Sequence, residues 1–225
     1  DSSGSFIDED AALGFRRLSI IDISSSGDQP LYNEDKTKVL TFKGEIHKYQ
    51  EMRRELLEAG HTFTTQTDSE TLLHGYEEWG EKLVDRLRGM YGFVIWDREK
   101  KKLFGARDIF GIKPFYYAKM NGCLLFGSEI KSFLEHPKFD KVLNEEALGN
   151  YLSFQFVPSN ETFFKGVYCL QPGHYFTYEN GEMEITRYFE PNFTGDTDKS
   201  FEEIVDEVEK TMVESVEAHK ISDVE

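Results

Sequence analysis

The 225-residue chain is 39% hydrophobic and 14% aromatic, enough for a sizeable core, and its 42 acidic against 26 basic side chains give a formal net charge of −16. That balance, with no basic run, excludes the usual footprint of a nucleic-acid or anionic-membrane binder and is otherwise the mark of a well-solvated surface. No apolar run approaches membrane-spanning length and no signal peptide is visible, so a cytoplasmic protein is expected.

Residues 11–23 read as a strand, and residues 27–33 as loop with an extended Gln29-Pro30-Leu31-Tyr32 segment. A short strand over 39–42 is predicted to run into a Gly44-Glu45 turn. A helix over 48–59 then carries Met52, Leu56 and Leu57 at helical spacing until Gly60 closes it. A strand ending in a glycine and a carboxylate suits a substrate pocket, because glycine lets a ligand approach the backbone and the carboxylate is a fixed anion. An acid near a helix N-terminus would be favourable there without any ligand.

Residues 61–65 are β-rich. Thr67 and Glu70 match a capping box with Asp68 inside it, opening a helix through Leu72, Leu73, Tyr76 and Trp79, and a shorter helix reaches Leu87. Three hairpins are predicted: 89–97 with 101–106, 115–119 with 123–127 around Asn121-Gly122, and 175–179 with 183–189 around Asn180-Gly181. Residues 129–134 and 144–152 read as helical. Cys123 and Cys169 sit in apolar, strand-like runs without a Cys or His at metal-ligand spacing. Two buried free thiols in a reducing compartment, and no metal site, are expected.

Residues 191–199 form a polar linker. Ser200 and Glu203 make a second capping box before a helix whose apolar stripe runs through Phe201, Ile204, Val205, Val208, Met212, Val213 and Val216. Strands that arrive as hairpins argue for an antiparallel α+β domain. Gly105 and Gly111 bracket an Arg-Asp pair without phosphate-loop spacing, and no Walker or Rossmann glycine pattern is present.

Four segments, in order, resemble one family. They are Arg17-Leu-Ser-Ile-Ile-Asp22; Gln29-Pro-Leu-Tyr-Asn33 leading to Gly44-Glu-Ile46; Thr67-Asp-Ser-Glu70; and Ala106-Arg-Asp-Ile-Phe-Gly-Ile-Lys-Pro-Phe-Tyr-Tyr117 with Gly127-Ser-Glu-Ile-Lys131. Together they resemble the glutaminase domain of glutamine-hydrolysing asparagine synthetases, over roughly residues 4–190. The resemblance implies an N-terminal-nucleophile fold, a four-layer αββα sandwich of two antiparallel sheets between helices, its first strand missing here. Residues 1–190 would be the amidotransferase domain. Residues 191–225 would be a linker and the first helix of a truncated synthetase domain.

The reaction implied is glutamine hydrolysis by an N-terminal cysteine whose own α-amine is the base, with an oxyanion hole for the tetrahedral charge. ATP and magnesium would serve only the missing synthetase domain, so no cofactor is expected in this fragment. Arg17 would pair with the glutamine α-carboxylate, Glu45 and Asp68 would hold the α-ammonium, Gly44 would line the pocket through its backbone, and Ile20 and Ile21 would lie beside it.

Two departures bear on activity. The chain begins at Asp1 with no N-terminal Cys, and the family's Asn-Gly-Glu-Ile-Tyr-Asn reads Lys43-Gly-Glu-Ile-His47-Lys48, which replaces an oxyanion-hole amide by a charged side chain. Losing one such donor costs about 10² to 10³ in rate. These residues are therefore expected to lack glutaminase and synthetase activity, with glutamine binding weak or lost. The alternative is a non-catalytic glutamine-binding or protein-interaction relic. The C-terminal stripe suggests a homodimer.

Overall fold

The computed structural model describes residues 2–17, 27–120, 122–195 and 198–220. Its spine is the ladder between β4 (Lys38–Ile46) and β5 (Gly89–Asp97), paired antiparallel along the whole length of both strands, from Lys38 opposite Asp97 to Ile46 opposite Gly89. β5 turns back into β6 (Lys102–Arg107). β10 (His174–Glu179) and β11 (Glu182–Arg187) extend the sheet on that side, and β3 (Leu31–Tyr32) ends it on the other, giving the order β11-β10-β6-β5-β4-β3.

The period of two along these strands sorts their side chains onto two faces. Leu40, Phe42, Phe93, Ile95 and Phe104 pack with Met52 and Leu56 of α1 (Tyr49–Glu58) and with Leu72, Leu73 and Tyr76 of α2 (Asp68–Trp79). Their neighbours Val39, Val94, Trp96 and Leu103 point the opposite way. There they meet Phe6 of β1 (Ser2–Ile7), Leu13 of β2 (Ala12–Arg17), Tyr117 of β7 (Tyr116–Met120) and Leu124 of β8 (Cys123–Gly127). β1 pairs with β2, and β7 pairs with both β8 and β9 (Val167–Cys169). The outer face of this second sheet layer is covered by Phe133, from a 3₁₀ turn over Ile130–Glu135, against Ala118 and Val167. The layers therefore run helix, sheet, sheet, helical turn, which is the expected α+β sandwich.

Several elements differ from expectation. Within the segment 11–23, Ala12–Arg17 is strand and residues 18–23 lie outside the described residues; the strand pairs with β1, which the sequence reading left out. β4 does not stop at Phe42: Lys43, Gly44 and Glu45 continue it opposite Gly92, Tyr91 and Met90. The turn comes at His47 and Lys48, where Lys48 takes the left-handed conformation (φ 59°) before α1. Residues 61–65 form no strand, because Thr64 and Thr65 give their N–H groups to the Glu70 carboxylate. The thiols are not buried. Cys123 opens the edge strand β8 and is exposed, while Cys169 is half-buried with Arg107 Nη1 3.0 Å from its sulfur.

The chain continues through α3 (Glu145–Phe154) and ends in α4 (Phe201–His219). The second capping box closes in full: Glu203 N donates to Ser200 Oγ and Ser200 N donates to the Glu203 carboxylate. The stripe of α4 is open, from 41% exposure at Ile204 to 76% at Phe201. The helix meets the body at its C-terminal end, where the His219 ring lies 3.9 Å from that of His47. Burial, with His219 and Arg88 nearby, holds His47 below its usual range. Among the described residues, no helix is long and apolar enough to cross a membrane.

Candidate active site

A cavity of about 1060 Å³ opens between the two sheet layers, where β2, β4 and the start of α2 converge. Arg17, Lys43, Gly44, Glu45 and Asp68 all line it. The structure thus brings together every expected site residue that it describes; Ile20 and Ile21 lie outside the described residues.

Each residue is placed by its backbone. Gly44 sits inside β4 at φ 153°, and a Cβ there would come within 2.1 Å of the Met90 carbonyl oxygen. Glycine is therefore required for β4 and β5 to pair, a different reason from room for a ligand. Asp68 is the first residue of α2, 4% exposed, and its Oδ2 accepts the Ile46 N–H at 2.9 Å, tying helix to strand. Burial pushes its carboxyl up to about 6, and the charge of Glu45 adds to that rise against the hydrogen bonds from Ile46 and Ser69. Two carboxylates thus share one end of the cavity, and one of them is poorly solvated.

Arg17 ends β2, and its Nη1 donates to Asp28 Oδ1 at 3.1 Å. Asp28 also accepts the Ser2 hydroxyl, and the two hydrogen bonds hold its carboxyl below the usual range. The guanidinium passes beside Gly27, where a Cβ would meet Nη2 at 2.4 Å and the Thr67 methyl at 3.0 Å. Lys43 is exposed on the cavity wall. It forms no ion pair with Glu45 or Asp68; its charge acts on Glu129, whose carboxyl is held below its usual range chiefly by Lys131.

Residues to which the sequence reading gave no role hold this frame. The Gln29 side chain clasps β4, accepting Phe42 N–H at 2.6 Å and donating to Phe42 O at 3.0 Å. Asp108, fully buried, accepts N–H groups from Tyr91, Phe110, Ile112 and Lys113. Arg107 donates to the carbonyls of Lys113, Gly111 and Leu170. The Arg-Asp pair is therefore a brace that presents Lys113, Pro114 and Phe115 to the cavity. Its signal in the sequence was the buried charge between two glycines. Neither Cys123 nor Cys169 lines the cavity.

Residues 1–189 match the family model described as a glutamine amidotransferase domain. The chain belongs to that family. This amidotransferase domain is 43% identical over its full length to asparagine synthetase [glutamine-hydrolyzing] 1 of Bacillus subtilis, of which it covers 35%. It is 47% identical over 133 residues to the asparagine synthetase [glutamine-hydrolyzing] of Zea mays, covering 59% of this chain and 22% of that one. It also resembles amidase chyE of Penicillium rubens, at 35% identity over 94% of this chain and 31% of the relative. The chain spans 22–35% of the length of these curated relatives. Among solved structures, the glutamine phosphoribosylpyrophosphate amidotransferase of B. subtilis superposes with a TM-score of 0.54 at 18% identity, over 79% of this chain and 35% of that one. At that identity the likeness concerns the fold.

Proposed function

We propose that the cavity recognises the α-amino and α-carboxylate groups of L-glutamine, with Glu45 and Asp68 on the ammonium and Arg17 on the carboxylate. The observation that carries this is the pair of carboxylates at one end, Asp68 buried and raised by burial and by Glu45, with a guanidinium lining the same cavity. A bound ammonium relieves that repulsion, and a ligand carboxylate shares the Arg17 fork with Asp28. Gly44 lines the pocket through its backbone, and Ile20 and Ile21 remain assigned to it by resemblance.

Catalysis in this family's manner needs a thiol at the amide carbon. Both thiols of these 225 residues lie off the cavity wall, and Lys43, which the resemblance puts at the position of a fixed oxyanion donor, is a mobile charged side chain on that wall. By themselves, then, these residues bind the amino acid without hydrolysing it. In a longer protein of the asparagine synthetase kind, the domain would supply ammonia to an ATP- and magnesium-dependent partner domain. That leaves residues 1–190 as the amidotransferase unit and 191–225 as the connection onward. The exposed stripe of α4 would then be an association face, covered in isolation by a second copy.

Calorimetry with L-glutamine on the wild type, Arg17→Ala and Asp68→Asn tests the pocket. Weak binding lost in both variants, with their folds intact by circular dichroism, is expected. Equal affinity in wild type and Arg17→Ala would reject the assignment. Ammonia release by the wild type above the uncatalysed rate would reject the non-hydrolytic reading.

A further inference from the structure

The far end of α2 carries a second cluster, outside the cavity. His61, His74 and Glu77 each offer one ligand atom, and the three atoms lie within 4.8 Å of one another. We propose that they form a binding site for a divalent transition-metal ion of the zinc type, tying the loop after α1 to α2.

The geometry is close to what zinc needs. His74 Nδ1 is 2.8 Å from Glu77 Oε2, and His61 Nδ1 is 3.9 Å from the same oxygen. Bonds of 2.0–2.1 Å in a tetrahedron put neighbouring ligand atoms about 3.3 Å apart. The two distances straddle that value, and the two imidazole nitrogens lie within 4.8 Å of each other, so side-chain rotation alone would have to close the set. A water would take the fourth position, as in three-ligand zinc sites. Two imidazoles and one carboxylate suit zinc and its neighbours and are a poor set for magnesium or calcium, which take oxygen ligands.

The supporting groups are also in place. A ligating histidine ordinarily gives its second nitrogen to a carboxylate, which fixes ring orientation. His74 Nε2 faces Glu34 at 3.8 Å and Glu70 at 3.9 Å, and His61 Nε2 faces Glu78 at 3.3 Å. Glu77 is itself oriented, because Asn33 Nδ2 donates to its other oxygen at 2.7 Å. The His74 ring is fixed against Phe63, with centroids 4.7 Å apart. His61 is fixed by its backbone, since its N–H donates to Leu56 O at the end of α1. Four carboxylates thus surround two imidazoles, a surplus of negative charge that attracts a cation.

Burial opposes charge on His74, but Glu70 and Glu77 hold its pKa up to about 9. Zinc competes with that proton, so the measurement belongs at pH 8. Zinc chloride titrated into the chelator-treated 225-residue protein should show one saturable site per chain and raise the melting temperature. His61→Ala is the informative variant, because His61 is near the surface and Phe63 still packs on the His74 ring without it. Its affinity should fall at least about tenfold, since supporting partners alone are worth 10–100-fold. His219→Ala, which removes one ring of the other histidine pair, should bind as the wild type does. Magnesium at the same concentration should give no saturable heat. The absence of a saturable zinc site would overturn the proposal. So would wild-type affinity in a folded His61→Ala, or equal competition by magnesium, which marks attraction to the acidic surface.

Discussion

Asp68 and Glu70 stand two residues apart at the start of the same helix, 4% and 5% exposed, and have opposite fates. Burial pushes Asp68 up to about 6. Burial works on Glu70 in the same direction, yet His74 and the Thr64 and Thr65 donors outweigh it and pull the carboxyl down to about 2. Glu70 accepts the N–H and hydroxyl of Thr64 at 2.7 and 2.8 Å and those of Thr65 at 2.6 and 2.7 Å. Asp68 has the Ile46 and Ser69 N–H groups and, across the cavity end, a second carboxylate. One acid is committed to the fold. The other is held at a cost to the fold, which the proposed ammonium ligand would offset.

Breaking the first should have the largest effect. Glu70→Ala strands the amides of Thr64 and Thr65 and removes a partner of His74. A loss of about 3–5 kcal/mol is expected in urea unfolding at pH 7. The folded pKa of Glu70 is depressed, so its contribution is present above the unfolded value near 4.5 and disappears as pH falls toward 2. The difference between wild type and variant should therefore shrink through that window. A difference that stays constant from pH 7 to pH 3 would show that the carboxylate charge is not the source.

Asp68→Asn should act in the other direction. The folded pKa of Asp68 is raised, so the stability linked to its proton is full below about pH 4 and lost as pH climbs through about 6. Asparagine keeps an oxygen for the Ile46 N–H without the buried charge. At pH 8 the variant should be more stable than the wild type by about 1–3 kcal/mol, and at pH 4 the two should agree. Glutamine affinity should be lost in the same variant. A variant that is no more stable at pH 8 would show that the carboxylate is better solvated than its burial implies.

Ligand binding sharpens the contrast further. An ammonium against Asp68 favours its ionised form, so glutamine affinity in the wild type should fall as pH drops through about 6. Up to about tenfold per pH unit is the largest slope one proton gives. Calorimetry at pH 7.5 and 5.5 measures it. Equal affinity at both would remove Asp68 from ligand contact while leaving Arg17 untouched.

The hairpins were legible because period-two runs and Asn-Gly turns are local signals, and β7–β8 and β10–β11 lie where those signals put them. β4 was cut short because Lys43, Gly44 and Glu45 are polar and read as a turn. They are polar because they face the cavity, and they are strand because β5 pairs with them, a fact set by residues nearly fifty positions away. Sites are where local rules are expected to fail. Gly44 and Glu45 entered the reading as a strand end suited to a pocket, Arg17 and Asp68 took their pocket roles by resemblance, and the cavity groups all four. Gln29, Arg107 and Asp108 carried no readable role, because each acts on backbone groups that only the folded chain brings near.

The smallest effect separates the two capping boxes. Both were legible as a hydroxyl residue followed three positions later by Glu. At Ser200 the box closes in both directions. At Thr67 only half of it forms: Thr67 Oγ1 accepts Glu70 N–H at 3.2 Å, while the Glu70 carboxylate turns to Thr64 and Thr65. The acid that would complete the local motif is used to pin the preceding loop. Ser200→Ala therefore removes a cap from an exposed helix that touches the body only at its far end. About 0.5–1 kcal/mol of helix stability goes with it, visible as a small loss of helical circular dichroism while global unfolding hardly moves. Thr67→Ala removes a cap from a buried helix start whose hydroxyl also bonds Thr65 Oγ1 at 2.8 Å. It should cost about 1–2 kcal/mol in global unfolding. If both substitutions shift the global midpoint equally, α4 unfolds together with the sandwich, and its contact through His219 and His47 is stronger than the exposed stripe suggests.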